Sequence, residues 1–139
     1  MRRRLFLILT ILALSSALGS ARKSDAEKHR HGSGLASAPE SAHTRRNPYE
    51  GSADAALAGE KLFKRHCAEC HGIDGRGHEH APPLDSASVY QAPPGDLFWF
   101  LTNGNLWRGM PSWSRLPDAQ RWQIVSYLKT LWKPLGFVN

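Results

Sequence analysis

Large apolar residues are scarce between Arg22 and Ala53, where Leu35 and Tyr49 stand among Ser, Ala, His, Gly, Arg and Glu, and they become frequent from Asp54 onward. The first periodic stretch predicts a helix capped by Ser52 or Asp54 and running through His66, with Leu57, Ala58 and Leu62 near helical spacing. Gly59 in its middle costs a helix about 1 kcal/mol relative to Ala, which marks the place where another element crosses closely. From Gly72 to Leu84 the glycines and prolines admit no regular element. The run Leu97-Phe98-Trp99-Phe100-Leu101, with Asp96 at its start and Gly104 just past its end, reads as a short helix. After Pro117-Asp118, the residues Ile124, Tyr127, Leu128 and Leu131 fall at i, i+3, i+4 and i+7, one face of a last helix that ends before Pro134. No alternating pattern or internal repeat is present. The pattern therefore predicts an all-α fold of three or more helices separated by long irregular loops.

The pattern also divides the chain of 139 residues into three parts. Residues 1–21 place Arg2-Arg3-Arg4 before an apolar run from Leu5 to Leu14 and then small residues up to Ala21, the layout of a secretory signal peptide. The apolar run falls short of the roughly 20 residues a membrane span needs, so cleavage is expected over retention as an anchor. Residues 22–53 are expected to be a disordered polar tether, because they offer too little burial to offset the entropy of ordering. His29, His31 and His43 lie in it with no fixed geometry for a metal ion. Residues 54–139 form the folded domain. The formal charge of +6 lies mostly outside it: Asp54 to Asn139 carries nine basic and eight acidic residues, a net +1. That balance is no nucleic-acid footprint. Three or so short helices in a domain of this size bury little, so the sequence calls for something to fill the middle.

Cys67-Ala68-Glu69-Cys70-His71 contains both cysteines of the chain and has the C-x-x-C-H spacing of c-type haem attachment. Cysteines three apart at a helix end project to one side and can reach two vinyl groups as thioethers, and the following His71 supplies an imidazole to the iron. Other readings of the pair are a thioredoxin-like dithiol, for which the alternating strands and helices are missing, a zinc site with His78 and His80, and a simple disulfide. Met110, the one methionine besides the initiator, lies 39 residues after His71 between Gly109 and Pro111. Its soft thioether suits the opposite face of the ring and favours ferrous iron. Bis-histidine ligation through His78 or His80 would demand an awkward loop, since both follow His71 closely.

Residues 54–139 resemble a class I cytochrome c domain, the small monohaem electron carriers. The resemblance rests on Gly59 and Phe63 before the haem motif, Tyr127 and Leu128 on the last helix, Gly72 after the motif histidine, Pro82-Pro83-Leu84, and Gly109-Met110-Pro111 followed by Trp113. It implies a small all-α cytochrome c-like fold wrapped around one covalent haem c, with Cys67 and Cys70 attached to it and His71 and Met110 as iron ligands. It further implies that a proline carbonyl, expected to be that of Pro83, accepts the Nδ1 hydrogen of His71. The implied function is one-electron transfer by a monomer, not catalysis, between protein redox partners: a dehydrogenase, an oxidase, a reductase or another cytochrome. The implied location is the periplasm, reached through a Sec-type leader because haem attachment in this family follows export of the unfolded chain; a retained leader would instead tether the protein to the membrane. The alternative function is a haem enzyme or ligand sensor in which Met110 leaves the iron open.

Overall fold

The computed structural model describes residues 35–78 and 81–133. The leader at 1–21 lies outside them. The chain divides into two units, Met1–Ser37 and Ala38–Asn139; of the first, a single 3-10 turn at Leu35–Ser37 is described. The second unit is helical, and among the described residues there is no strand, only two isolated β-bridges. Its helices are α1 (Glu40–His43), α2 (Ala53–His66), α3 (Ala68–His71), α4 (Ala87–Gln91), α5 (Pro94–Asn103) and α6 (Asp118–Leu131).

The expected first, middle and last helices are thus present as α2, α5 and α6. Ser52 caps α2, its hydroxyl accepting the Ala55 N–H at 3.2 Å. The most extensive helix pairing joins α2 to α6, and Gly59 explains how close it is. A β-carbon at that position would overlap the Gln123 carbonyl and touch Tyr127 Cβ, so the missing side chain is what lets the two backbones cross. One turn later Phe63, fully buried, meets the Tyr127 ring at 5.2 Å. Ile124, Val125 and Leu128 of α6 complete this core. Gly59→Val is expected to destabilise the folded chain by about 3 kcal/mol, the upper part of the usual cost of overpacking, read as a lowered midpoint of denaturant unfolding.

On its other flank α6 receives α5 through a stack of Phe98 on Trp122, with ring centroids 4.1 Å apart. Helix α4 was not expected. Ser86 caps its start by accepting the Val89 N–H, and Lys129 of α6 donates to the carbonyls of Val89, Tyr90 and Ala92 at its end. A cation there satisfies carbonyls that a helix terminus leaves unpaired.

The expected tether is corrected over its second half. Residues 38–53 are packed onto α5 and α6, although they contain no large apolar residue apart from Tyr49. Polar groups hold them. His43 Nδ1 lies 2.7 Å from the carboxylate of Asp96, which is buried. The Arg45 guanidinium sits 4.4 Å from the Phe98 ring centroid, and buried Asn47 donates to the Trp122 carbonyl and the Ser126 hydroxyl. Charge-assisted, cation–π and amide contacts here do the anchoring that apolar burial does elsewhere.

Candidate functional site

Helix α2 stops at His66 because the chain leaves helical geometry at Cys67, whose N–H still closes on the Phe63 carbonyl at 2.8 Å. A single further turn, α3, follows. The His71 N–H donates to the Cys67 carbonyl at 2.9 Å, and Gly72, with φ of +78°, ends the turn. Cys67 and Cys70 thus stand three positions apart on one tight segment, with His71 directly after the second of them. Cys67 is half-buried, Cys70 is exposed, and both thiols are free of disulfide bonding. Burial first, and then the neighbouring Cys70, push the Cys67 thiol up to about 11. At neutral pH it is therefore un-ionised, which slows disulfide exchange, a reaction of the thiolate. Among the described residues no group of three or more His, Cys, Asp or Glu side chains gathers to hold a metal ion; His80 lies outside them.

The loop after α3 doubles back. The Gly77 N–H donates to the His71 carbonyl at 2.8 Å, His78 pairs with Ala81, and the Leu84 N–H donates to the Gly75 carbonyl at 2.6 Å. Gly77 has φ of +82° and lies against the backbone of Ala81, Pro82 and Pro83, where a β-carbon would not fit. This return places the carbonyl of Pro82, not Pro83, 3.1 Å from His71 Nδ1. The expectation of Pro83 is corrected by one residue, because the pairing at Ala81 turns the next carbonyl toward the histidine. A carbonyl only accepts, so Nδ1 carries the hydrogen and Nε2 keeps its lone pair for a metal.

Met110 belongs to a different part of the structure. It is half-buried and follows a 3-10 turn at Leu106–Arg108. Its N–H donates to the Asn105 carbonyl at 3.0 Å and its carbonyl accepts from the Asn105 N–H at 2.8 Å. Beyond it, the Trp113 N–H donates to the Leu101 carbonyl at 2.9 Å and the Ser112 hydroxyl to the Thr102 carbonyl at 2.6 Å. The hydrogen bonds of this loop therefore run to α5, while the cysteines and His71 are joined to α2 and Pro82.

Of the five tryptophans, Trp122 is buried, Trp132 packs on Tyr90, and Trp113 meets the His66 ring at 5.2 Å. Trp107 is fully exposed, as are Leu106 and Ile73 in large part. These three apolar side chains border the His71 and Met110 segments. Together with two free thiols, an imidazole with Nε2 available and a thioether, they suit a flat apolar macrocycle carrying iron. Arg76 lies beside Asp74 and Asp85. Sequence reasoning missed Pro82, although the Pro-Pro pair narrowed the choice to two.

Residues 54–128 match the family described as cytochrome C oxidase, cbb3-type, subunit III. The cbb3-type cytochrome c oxidase subunit CcoP of Rhodobacter capsulatus is 36% identical over 89 residues, covering 55% of this chain and 29% of the relative. A cytochrome c of Gossypium barbadense is 55% identical over 31 residues, 22% of this chain and 28% of the relative. The chain spans less than a third of the length of these relatives. No solved structure gives a significant match.

Proposed function

The chain belongs to the cbb3-type cytochrome c oxidase subunit III family, as a c-type cytochrome domain with covalently bound haem c and a role in electron transfer, and on this premise we propose a monohaem one-electron carrier with iron held by His71 and Met110. The observation that carries the reading is the Cys67–Cys70–His71 segment whose histidine Nδ1 is committed to the Pro82 carbonyl. That bond fixes the ring, selects the tautomer and makes Nε2 more basic. Cys67 and Cys70 hold the macrocycle through thioethers. Met110 supplies a soft sulphur from a loop that α5 already orders, so little of the chain rearranges when the oxidation state changes. The bound haem supplies reversible one-electron chemistry at iron; the protein sets its potential and its surroundings.

The donor and acceptor are read as proteins, among them a dehydrogenase, an oxidase, a reductase or another cytochrome. The relatives named as oxidase subunits favour a place beside a terminal oxidase. Residues 1–21 are read as a Sec-type leader that delivers the chain to the periplasm. Among the described residues no helix is long and apolar enough to cross a membrane.

Mass spectrometry of the purified chain, produced with a haem-ligation system, tests the reading. The expected mass is that of the chain without its leader plus one haem. A red colour that extracts into acid acetone would overturn the covalent attachment, and oxidised protein without a weak far-red sulphur-to-iron band at neutral pH would overturn the Met110 ligation.

A further inference from the structure

We propose that Arg121 is a positioning residue for the Met110 sulphur, acting from α6 through Thr102 and Ser112. The inference rests on the reading of Met110 as an iron ligand. Arg121 is buried, 6% exposed, where a cation is costly unless it is paired and hydrogen-bonded. Its guanidinium donates to the Thr102 hydroxyl and to the Asp118 carboxylate, and it lies 4.6 Å from the Phe98 ring centroid. Its Nε, also buried, has no hydrogen-bond partner. An apolar side chain would fill this space without leaving a donor unsatisfied, so packing alone does not account for an arginine here.

What the arginine adds is a directional link. The Thr102 hydroxyl accepts from Arg121 and donates to the Phe98 carbonyl at 2.7 Å. Two residues of the loop beyond Met110 hang from the same turn of α5: Ser112 from the Thr102 carbonyl and Trp113 from the Leu101 carbonyl. The guanidinium therefore pins the last turn of α5, and that turn holds the stretch that follows the sulphur. With the link gone, the turn is free to fray, and the loop leaves iron more often.

Haem-loaded R121Q, R121K, T102V and S112A, compared with the packing variant V125A, test the proposal by cyanide binding to the ferric protein and by the far-red band. Cyanide is expected to bind R121Q about tenfold faster than wild type, in the range that residues remote from a ligand commonly exert, with a weakened far-red band. T102V and S112A, which break the chain of bonds without removing the buried charge, are expected to shift both readouts in the same direction even where R121Q folds poorly. R121K, retaining a cationic donor, is expected to fall between wild type and R121Q. V125A is expected to lower the unfolding midpoint and leave both readouts unchanged. If T102V and S112A bind cyanide at the wild-type rate with the band intact, or if V125A moves the readouts as far as R121Q does, Arg121 is structural only and the proposal is overturned. A wild-type protein without the far-red band would instead remove the Met110 reading itself.

Discussion

Replacing Cys67 and Cys70 together with alanine is expected to give a colourless chain, whatever haem-ligation system is present, and with it a loss of cooperative unfolding. The first effect is chemical: these are the chain's two cysteines, so no thioether can form. The second is physical. The core joining α2 and α6 is narrow, with Phe63, Ile124 and Val125 as its largest fully buried side chains, and a small domain with so little apolar burial sits near the margin of stability. Ile73, Leu106 and Trp107, exposed beside the His71 and Met110 segments, add apolar surface in contact with water. Circular dichroism should show reduced helix and no near-ultraviolet signal. A sharp two-state transition close to that of the haem-loaded protein would show that the helices hold themselves together.

Met110→Ala is expected to leave the fold standing while changing the iron. The loop around it is held by main-chain pairing with Asn105 and by the Trp113 and Ser112 bonds to α5, none of which uses the Met110 side chain. Loss of the thioether should abolish the far-red band, admit cyanide and lower the reduction potential. Axial ligands move haem potentials across about 0.8 V, and removal of the sulphur is expected to lower the potential by on the order of a quarter of that span. Potentiometric titration of both proteins measures the difference directly; an unchanged potential would assign the sixth position to another group.

The helices that pack by apolar periodicity were legible in the sequence. Helix α6 buries Ile124 and Leu128 of the face its spacing showed, and α5 buries Leu97 and Phe98 of its apolar run; on α2 the helix was legible but its face was not, since Leu57 is exposed and the burial falls on Ala55, Gly59 and Phe63. Gly59 was legible for a complementary reason, since a glycine inside a helix needs a cause. Helix α4 was not legible, because five residues are too few for a period and the Lys129 cation that completes its end comes from 40 positions away. The strap at 38–53 was hidden by the same logic: His43, Arg45 and Asn47 resemble solvent-facing residues until Asp96, Phe98 and Trp122 are brought to them. In the site, Cys67, Cys70 and His71 lie within one short stretch of the sequence, so their common segment was legible. The histidine's carbonyl partner depended on the register of a turn through Gly77 and Ala81, and a one-residue difference there separates Pro82 from Pro83.

The Lys129 contact has a consequence for how the molecule meets others. Residues 54 to 139 hold one basic residue more than acidic, yet Lys129 directs its ammonium to three main-chain carbonyls and Arg121 is buried. With a net excess of one, residues 54 to 139 carry little charge with which to steer a partner over long distances, and two of their cations are engaged in internal contacts. Collisions with a partner are then guided by shape and local apolar contact, and their frequency should respond weakly to ionic strength.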